Sequence, residues 1–375
     1  MISLNEKLSG LKLSGIRGYT NLAKNTPGCI MLTIGEPDFD TPQAIRDAAV
    51  RALERGQTHY APNQGLMELR TAIAEYETAR GYACDESRIL ITSGATGALF
   101  TALLGILNPE DEVIVPTPAF PLYQSIATVA GAKTVPLDVT KTGFQITRED
   151  LDRVITPKTR AIVLNSPNNP TGVTFTRESL EIVKSAVLGK DIFLICDNVY
   201  DRLATAPVPD LSTDRELEDQ VLLCQSFSKP YAMTGWRVGY LAGPKAVMER
   251  MLLLHAAQNA SVATFLQWAC IEALKTDITP MAESYAQRQS YVCGRLKKMG
   301  LPFPEPGGSF YVFADITGTG MDSDTFCTRL IREGGVATVP GICFGAEGYI
   351  RISCACDQKA LETAMDRLEA FLQRG

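Results

Sequence analysis

The sequence predicts an α/β protein: a large unit with a mainly parallel sheet covered by helices, and a smaller α+β unit. Three observations carry this. Short apolar runs recur at 89–92, 113–116, 161–164, 192–196 and 221–224, and continuous runs of that length suit strands buried on both faces. Helical patterns lie between them, and strand–helix alternation implies parallel strands with helices on the sheet faces. Near residue 280 the pattern changes to a long helix, a Pro/Gly-rich stretch and isolated strand-like runs.

The elements follow in chain order. Thr41-Pro42 opens a helix whose face is Ala44, Ile45, Ala48, Ala49, Ala52 and Leu53, and Gly56 closes it. The stretch 89–107 holds no charged residue, which is long enough to suggest a membrane span. Yet it contains Thr92, Ser93, Thr96, Thr101 and three glycines, and Glu110, Asp111 and Glu112 follow where a cationic cluster would be expected. It is read as a strand over 89–92, a tight Ser-Gly turn and a buried helix.

Beyond the helix predicted over 281–299 come Pro302, Pro304, Pro306 and Gly307-Gly308, strand-like runs at 310–313 and 349–353, and a last helix carrying Leu361, Met365, Leu368 and Leu372. Two domains are expected: 41–280, and a smaller one made from 1–40 together with 281–375. Residues 1–12 carry charges early and lack an apolar core, so no signal peptide is expected.

Composition excludes several chemistries. The chain has 375 residues and a net charge of −6, without basic blocks, which argues against nucleic-acid or anionic-membrane partners. His59 and His255 are the only two histidines, too far apart for H-E-x-x-H and outside any Ser-His-Asp motif. The 10 cysteines are mostly scattered among apolar residues, as reduced, buried thiols are. Cys354 and Cys356 form a lone C-x-C with no second pair, so no metal site is expected.

Three segments carry chemistry. In Ser226-Phe-Ser-Lys229-Pro-Tyr-Ala-Met-Thr-Gly-Trp-Arg237, a lysine follows a predicted buried strand in an unusually apolar loop. A lysine near desolvating residues and another cation has a lowered pKa and becomes a nucleophilic amine, while Ser and Arg around it suit a phosphate. Asn165-Ser-Pro-Asn168-Asn169-Pro170-Thr171-Gly172 follows the run at 161–164 and on its own reads as a turn-rich loop. Asp197-Asn-Val-Tyr200 stands at the carboxyl end of the run at 192–196, the edge where open parallel sheets bind ligands. An Asp leaving a buried strand is costly unless something cationic meets it.

In this order, and with Ile34-Gly-Glu-Pro-Asp38 and Gly235-Trp-Arg237, these segments resemble the class I and II aminotransferases, which use pyridoxal phosphate on the fold type I (aspartate aminotransferase) scaffold. Ser14-Gly-Ile-Arg17 and Gly348-Tyr-Ile-Arg-Ile-Ser353 are similar to the bacterial aminotransferase A and N-acetyl-diaminopimelate aminotransferase group.

The resemblance implies a role for each matched residue. Lys229 would form the Schiff base with the cofactor aldehyde and later shuttle the substrate proton. Asp197 would pair with the pyridine nitrogen, Tyr200 and Asn169 would hydrogen-bond the ring's phenolic oxygen, and Phe120 would stack on the ring. Gly94, Ala95 and Thr96, at a helix start, would hold the phosphate with Ser226 and Arg237. Arg351 would clamp the substrate carboxylate, with Gly35 and Asn169 beside it and Ile16 lining the pocket. Tyr60 would reach the phosphate of a neighbouring subunit, so the resemblance implies a cytoplasmic homodimer that moves an amino group from an L-amino acid to a 2-oxo acid by a ping-pong mechanism. No metal, nucleic acid or membrane enters.

Departures and rivals complete the reading. Asp197-Asn198 stands where many relatives have Asp-Glu, Phe120 where others have Tyr or Trp, and Thr96 where some acid-specific relatives carry Lys. Within the fold, a C–S β-lyase would share Lys229, Asp197 and Arg351. Ser226-x-x-Lys229, Lys141-Thr-Gly143 and Cys196-Asp-Asn198 mimic the motifs of S-x-x-K serine hydrolases, but in reversed order. A DNA-binding regulator with this fold would need an extra domain, and only about 40 residues precede the first predicted helix, none forming a basic recognition helix.

Overall fold

In the computed structural model, residues 5–11 and 15–374 are described; Ser14, which shares in the resemblance above, lies outside them. The first segment runs through α1 (Gly15–Lys24), β1 (Ile30–Met31), α2 (Gln43–Glu54) and α3 (Met67–Ala79). The alternating segment follows: β2 (Ile89–Thr92), α4 (Gly94–Ile106), β3 (Glu112–Thr117), α5 (Leu122–Ala130), β4 (Lys133–Asp138), α6 (Arg148–Val154), β5 (Thr159–Asn165), α7 (Arg177–Val187), β6 (Phe193–Asp197), β7 (Val221–Ser226) and β8 (Gly239–Ala242). Then come α8 (Lys245–Asn259), α9 (Thr264–Ala273), α10 (Thr279–Met299), β9 (Tyr311–Asp315), α11 (Ser323–Arg329), β10 (Val336–Ala337), β11 (Val339–Pro340), β12 (Tyr349–Ser353) and α12 (Gln358–Leu372).

Strands β2 to β8 form one seven-stranded sheet in the order β2-β8-β7-β6-β5-β3-β4. Only β8 runs antiparallel to its neighbours β2 and β7; the remaining pairs are parallel. Alternate strand residues separate to opposite faces, as a period of two requires. Ile162, Leu164, Leu194, Cys196 and Leu223 enter one core. Ala161, Val163, Ile195, Leu222 and Cys224 enter another, beneath α4 and α5. The same alternation puts Asn165, Asp197 and Ser226, at the carboxyl ends of β5, β6 and β7, on the α4/α5 face. Asn165 and Asp197 are register partners.

A three-stranded antiparallel sheet, β11-β12-β9, lies apart from the large one. Strand β1 pairs with β10, tying the amino-terminal segment to the carboxyl-terminal one.

The stretch 89–107 resolves into β2 and α4, and no helix of the described residues is long and apolar enough to cross a membrane. Some expectations need correction. Ala44 and Leu53 are exposed on α2, whose buried residues are Ile45, Ala49 and Ala52. Helix α1 precedes the first helix expected from sequence. Strand β4 was not anticipated because it is a sheet edge: it contains Pro136 and much of it is in contact with solvent, so its apolar signal is weak.

Candidate active site

The sheet's carboxyl edge opens into a cavity of about 620 Å³. Of the residues singled out in the sequence, Ile16, Gly35, Ala95, Thr96, Phe120, Asn169, Asp197, Tyr200, Ser226, Lys229, Arg237 and Arg351 line it. Gly94 is not among the lining residues, though it packs against the Arg237 guanidinium. Tyr60 is 90% exposed and lies outside its own chain's cavity. His59 and His255 do not line the cavity, and neither do Lys141 to Gly143 of the hydrolase-like pattern. All ten cysteines are free, and the described residues contain no cluster able to hold a metal ion.

Asp197 ends β6 and is 4% exposed. Tyr123 Oη, on α5, donates 2.6 Å to its Oδ2, and Asn165 Nδ2 donates 2.8 Å to its backbone carbonyl. Oδ1 is buried without a partner. Burial pushes the carboxyl up to about 6, against the lowering hydrogen bond from Tyr123. An orphaned buried carboxylate oxygen at a cavity wall is matched by a cationic N–H donor, which is what a protonated pyridine presents.

Lys229 follows β7 in a turn, with Pro230 keeping it out of a helix. Its Nζ donates to the Gly35 carbonyl. Desolvation pulls the ammonium down to about 8, Arg351 and Arg237 push the same way, and Glu36 opposes them. An amine so poised is neutral for part of the time near pH 8 and serves as nucleophile or base.

The amino terminus of α4 is built for an anion. Arg237 adopts φ 56° and its Nη1 donates 2.9 Å to the Thr234 carbonyl. A Cβ on Gly94 would meet Arg237 Nη2 at 2.7 Å, and one on Gly239 would meet Gly94 C at 2.7 Å and Ala95 N at 2.8 Å. Only glycines let the backbone and the guanidinium converge there. Helix-terminal N–H groups, Thr96, Ser226 and Arg237 together suit a phosphate.

Arg351, on β12, is 2% exposed. Its Nη1 donates 2.8 Å to Asn169 Oδ1 and its Nη2 donates 2.7 Å to the Thr33 carbonyl, leaving Nε unpartnered. Its guanidinium lies 4.5 Å from the Tyr311 ring centroid and 4.9 Å from that of Phe344. Tyr200 and Tyr311 share a hydrogen bond of 3.1 Å between their hydroxyls. The Tyr311 hydroxyl occupies the space a Gly35 side chain would need, at 1.9 Å from an added Cβ.

Sequence reasoning missed Tyr123, Tyr311 and Phe344, and gave no role to Asn165 and Glu36, which stand inside the quoted segments. Tyr123 opens α5 just after Phe120, and the two rings meet edge to face with centroids 6.3 Å apart.

Residues 27–368 match the profile of the family described as aminotransferase class I and II. The probable N-acetyl-LL-diaminopimelate aminotransferase of Bacillus subtilis is 39% identical over 98% of this chain and 95% of its own length. The aromatic-amino-acid aminotransferase 2 of Thermococcus litoralis is 37% identical over 99% of each. Among solved structures, the aspartate aminotransferase of Thermotoga maritima superposes with a TM-score of 0.95 at 35% identity, covering 99% of this chain and 100% of that one.

Proposed function

The chain belongs to the class I and II aminotransferases, pyridoxal-phosphate enzymes that move an amino group from an amino acid to a 2-oxo acid, and on that premise we propose what its own residues do and which substrates it takes. The cofactor, when bound, supplies the electron sink that makes the substrate Cα–H acidic.

The protein's part is binding, orientation and proton handling. Lys229 would hold the cofactor through its amine and, freed when substrate binds, would carry the proton taken from the substrate Cα to the cofactor carbon C4′. The unpartnered Asp197 Oδ1 would accept the pyridine N–H, and Phe120 would cover the ring. Tyr200 and Asn169 would donate to the phenolic oxygen. The α4 amino terminus at Gly94, Ala95 and Thr96, with Ser226 and Arg237, would bind the phosphate. Arg351 and Asn169 hold the substrate α-carboxylate beside Gly35, and Ile16 closes the apolar side. The observation that carries this assignment is the convergence of the amine, the orphaned carboxylate and the helix-terminal anion site on one cavity.

One substrate of the pair carries a second carboxylate. Thr96 offers no cation for it, but Ile16, Arg17, Thr20, Asn21 and Lys24 of α1 line the cavity, and Arg17 and Lys24 bring positive charge to it. The working form is a homodimer in which Tyr60 reaches the phosphate of the neighbouring subunit, in keeping with its exposure. Residues 41–280 form the cofactor-binding domain, and 1–40 with 281–375 the smaller one, in keeping with the β1–β10 pairing. Ten free cysteines favour a reducing compartment, the cytoplasm.

The test is a donor screen against 2-oxoglutarate and pyruvate, with ammonia release followed in parallel. Transfer from glutamate or aspartate, weakened in Arg17→Ala, supports the reading. Ammonia and pyruvate released from sulfur amino acids, without transfer, would instead make the protein a C–S β-lyase.

A further inference from the structure

Glu36 stands in the sequence only as a letter of Ile34-Gly-Glu-Pro-Asp38. In the fold it lines the same cavity as Lys229, at the mouth. The cavity's cationic lining is Arg17, Lys24, Lys229, Arg237 and Arg351, while its carboxylates among the described residues are Glu36 and Asp197. Asp197 is taken by Tyr123 on one oxygen and by the proposed pyridine contact on the other. Glu36 is therefore the carboxylate left to balance the guanidiniums around the amine.

Its position is fixed. Thr234 Oγ1 donates to Glu36 Oε1, and Thr41 Oγ1 donates 2.6 Å to the Ala232 carbonyl. These two clasps join 35–41 to the loop bearing Lys229 and Arg237. Lys229 Nζ donates to the carbonyl of Gly35, the residue immediately before Glu36. We propose that Glu36 is a positioning residue for Lys229: clasped by Thr234, it holds the Gly35 carbonyl on the lysine amine and sets a negative charge against Arg237 and Arg351. The proposal rests on the reading of Lys229 as the cofactor-binding amine and proton carrier.

The charged groups acting most directly on the amine are Glu36, Arg351 and Arg237; Asp197, Arg17, Lys24 and the phenols of Tyr123, Tyr200 and Tyr311 share the cavity. Burial disfavours the ammonium, the two arginines disfavour it further, and Glu36 favours it. Without Glu36 the displaced lysine becomes a weaker base that gives up its proton at lower pH. Glu36 is exposed, so water screens it and its effect is modest.

The experiment labels the cofactor-free protein with trace acetic anhydride across pH and reads acetylation of Lys229 by mass spectrometry. Only the neutral amine reacts. Neutralising a nearby anion destabilises the ammonium, so the labelling midpoint of Glu36→Gln falls by about half a pH unit or more. Thr234→Val, which keeps the charge and loses the clasp, falls by less. In the loaded enzyme the acidic limb of kcat moves to lower pH in the same order. A purely structural role would change the extent of labelling and leave its midpoint alone, so an unmoved midpoint in both variants overturns the proposal. Borohydride reduction separates the two readings. Cofactor fixed to Lys229 with an unmoved midpoint rejects Glu36 alone, while cofactor fixed elsewhere or not at all rejects the underlying assignment of Lys229, and the proposal with it.

Discussion

Tyr123 Oη donates a 2.6 Å hydrogen bond to Oδ2 of Asp197 and leaves Oδ1 of the same carboxylate buried without a partner. The phenol thus fixes which oxygen faces the cavity and favours its charged form. In Tyr123→Phe the ring keeps its packing and the donor is lost. A hydrogen bond to a charged group is worth about 1.5–3 kcal/mol, so cofactor affinity should fall roughly tenfold or more. Titration of cofactor-free protein measures it; wild-type affinity would mean that Asp197 is oriented by its backbone alone.

Asp197 should also make the cofactor-free protein pH-sensitive. Burial raises its pKa from 3.8 to about 6, so between those values the folded state holds a proton that the unfolded state has released. Stability contributed by this group is full below about 4 and is lost as pH rises through about 6, a difference of about 3 kcal/mol. Asp197→Asn has no such titration. Its Tm relative to wild type should climb between pH 4 and 7 in the cofactor-free form, and the climb should shrink once cofactor is bound. A pH-independent difference in Tm would show that Asp197 titrates at its ordinary value.

Strands β2, β3, β5, β6 and β7 were legible because each is a short continuous apolar run, and α2 and α12 because their apolar residues recur at helical spacing. What escaped were elements whose signal is not local. β8 has only four residues and follows an irregular loop, and β4 is a half-exposed edge carrying Pro136. At the site, motif residues such as Lys229, Asp197 and Arg351 could be named, but their supports could not. Tyr123 and Asp197 lie 74 positions apart, and Arg351 meets Thr33 across 318. Such pairings exist only once the sheet registers are set.

Arg351 should not be replaceable by lysine. Its fork donates to Asn169 Oδ1 and the Thr33 carbonyl while its guanidinium packs on the Tyr311 and Phe344 rings. A lysine ammonium has neither the plane nor the second arm. Removing a buried charged partner costs about 2–5 kcal/mol, so Arg351→Ala should raise KM for the amino acid by a factor of about 30 or more, with a smaller effect on kcat. Arg351→Lys should recover only a minor part. Steady-state kinetics with both substrates tests this, and a lysine variant close to wild type would refute the role of the fork.

The sharpest test of the anion site is one methyl group. A Cβ at residue 239 would stand 2.5 Å from the Gln225 carbonyl, 2.7 Å from Gly94 C and 2.8 Å from Ala95 N, all backbone atoms that cannot rotate away. Gly239→Ala must push β8 from β7 or move the start of α4, and overpacking of this kind costs about 1–3 kcal/mol. If the α4 terminus holds the phosphate, that displacement falls on its N–H groups, so affinity for cofactor and for inorganic phosphate should drop together, by about tenfold. Gly235→Ala is the control: it lies in the turn that leads into β8 with nothing within 4 Å of its Cβ, and its stability should stay within about 0.5 kcal/mol of wild type. Equal affinities in the two variants would locate the phosphate contacts elsewhere in the cavity; a selective loss in Gly239→Ala ties them to the place where β8 touches α4.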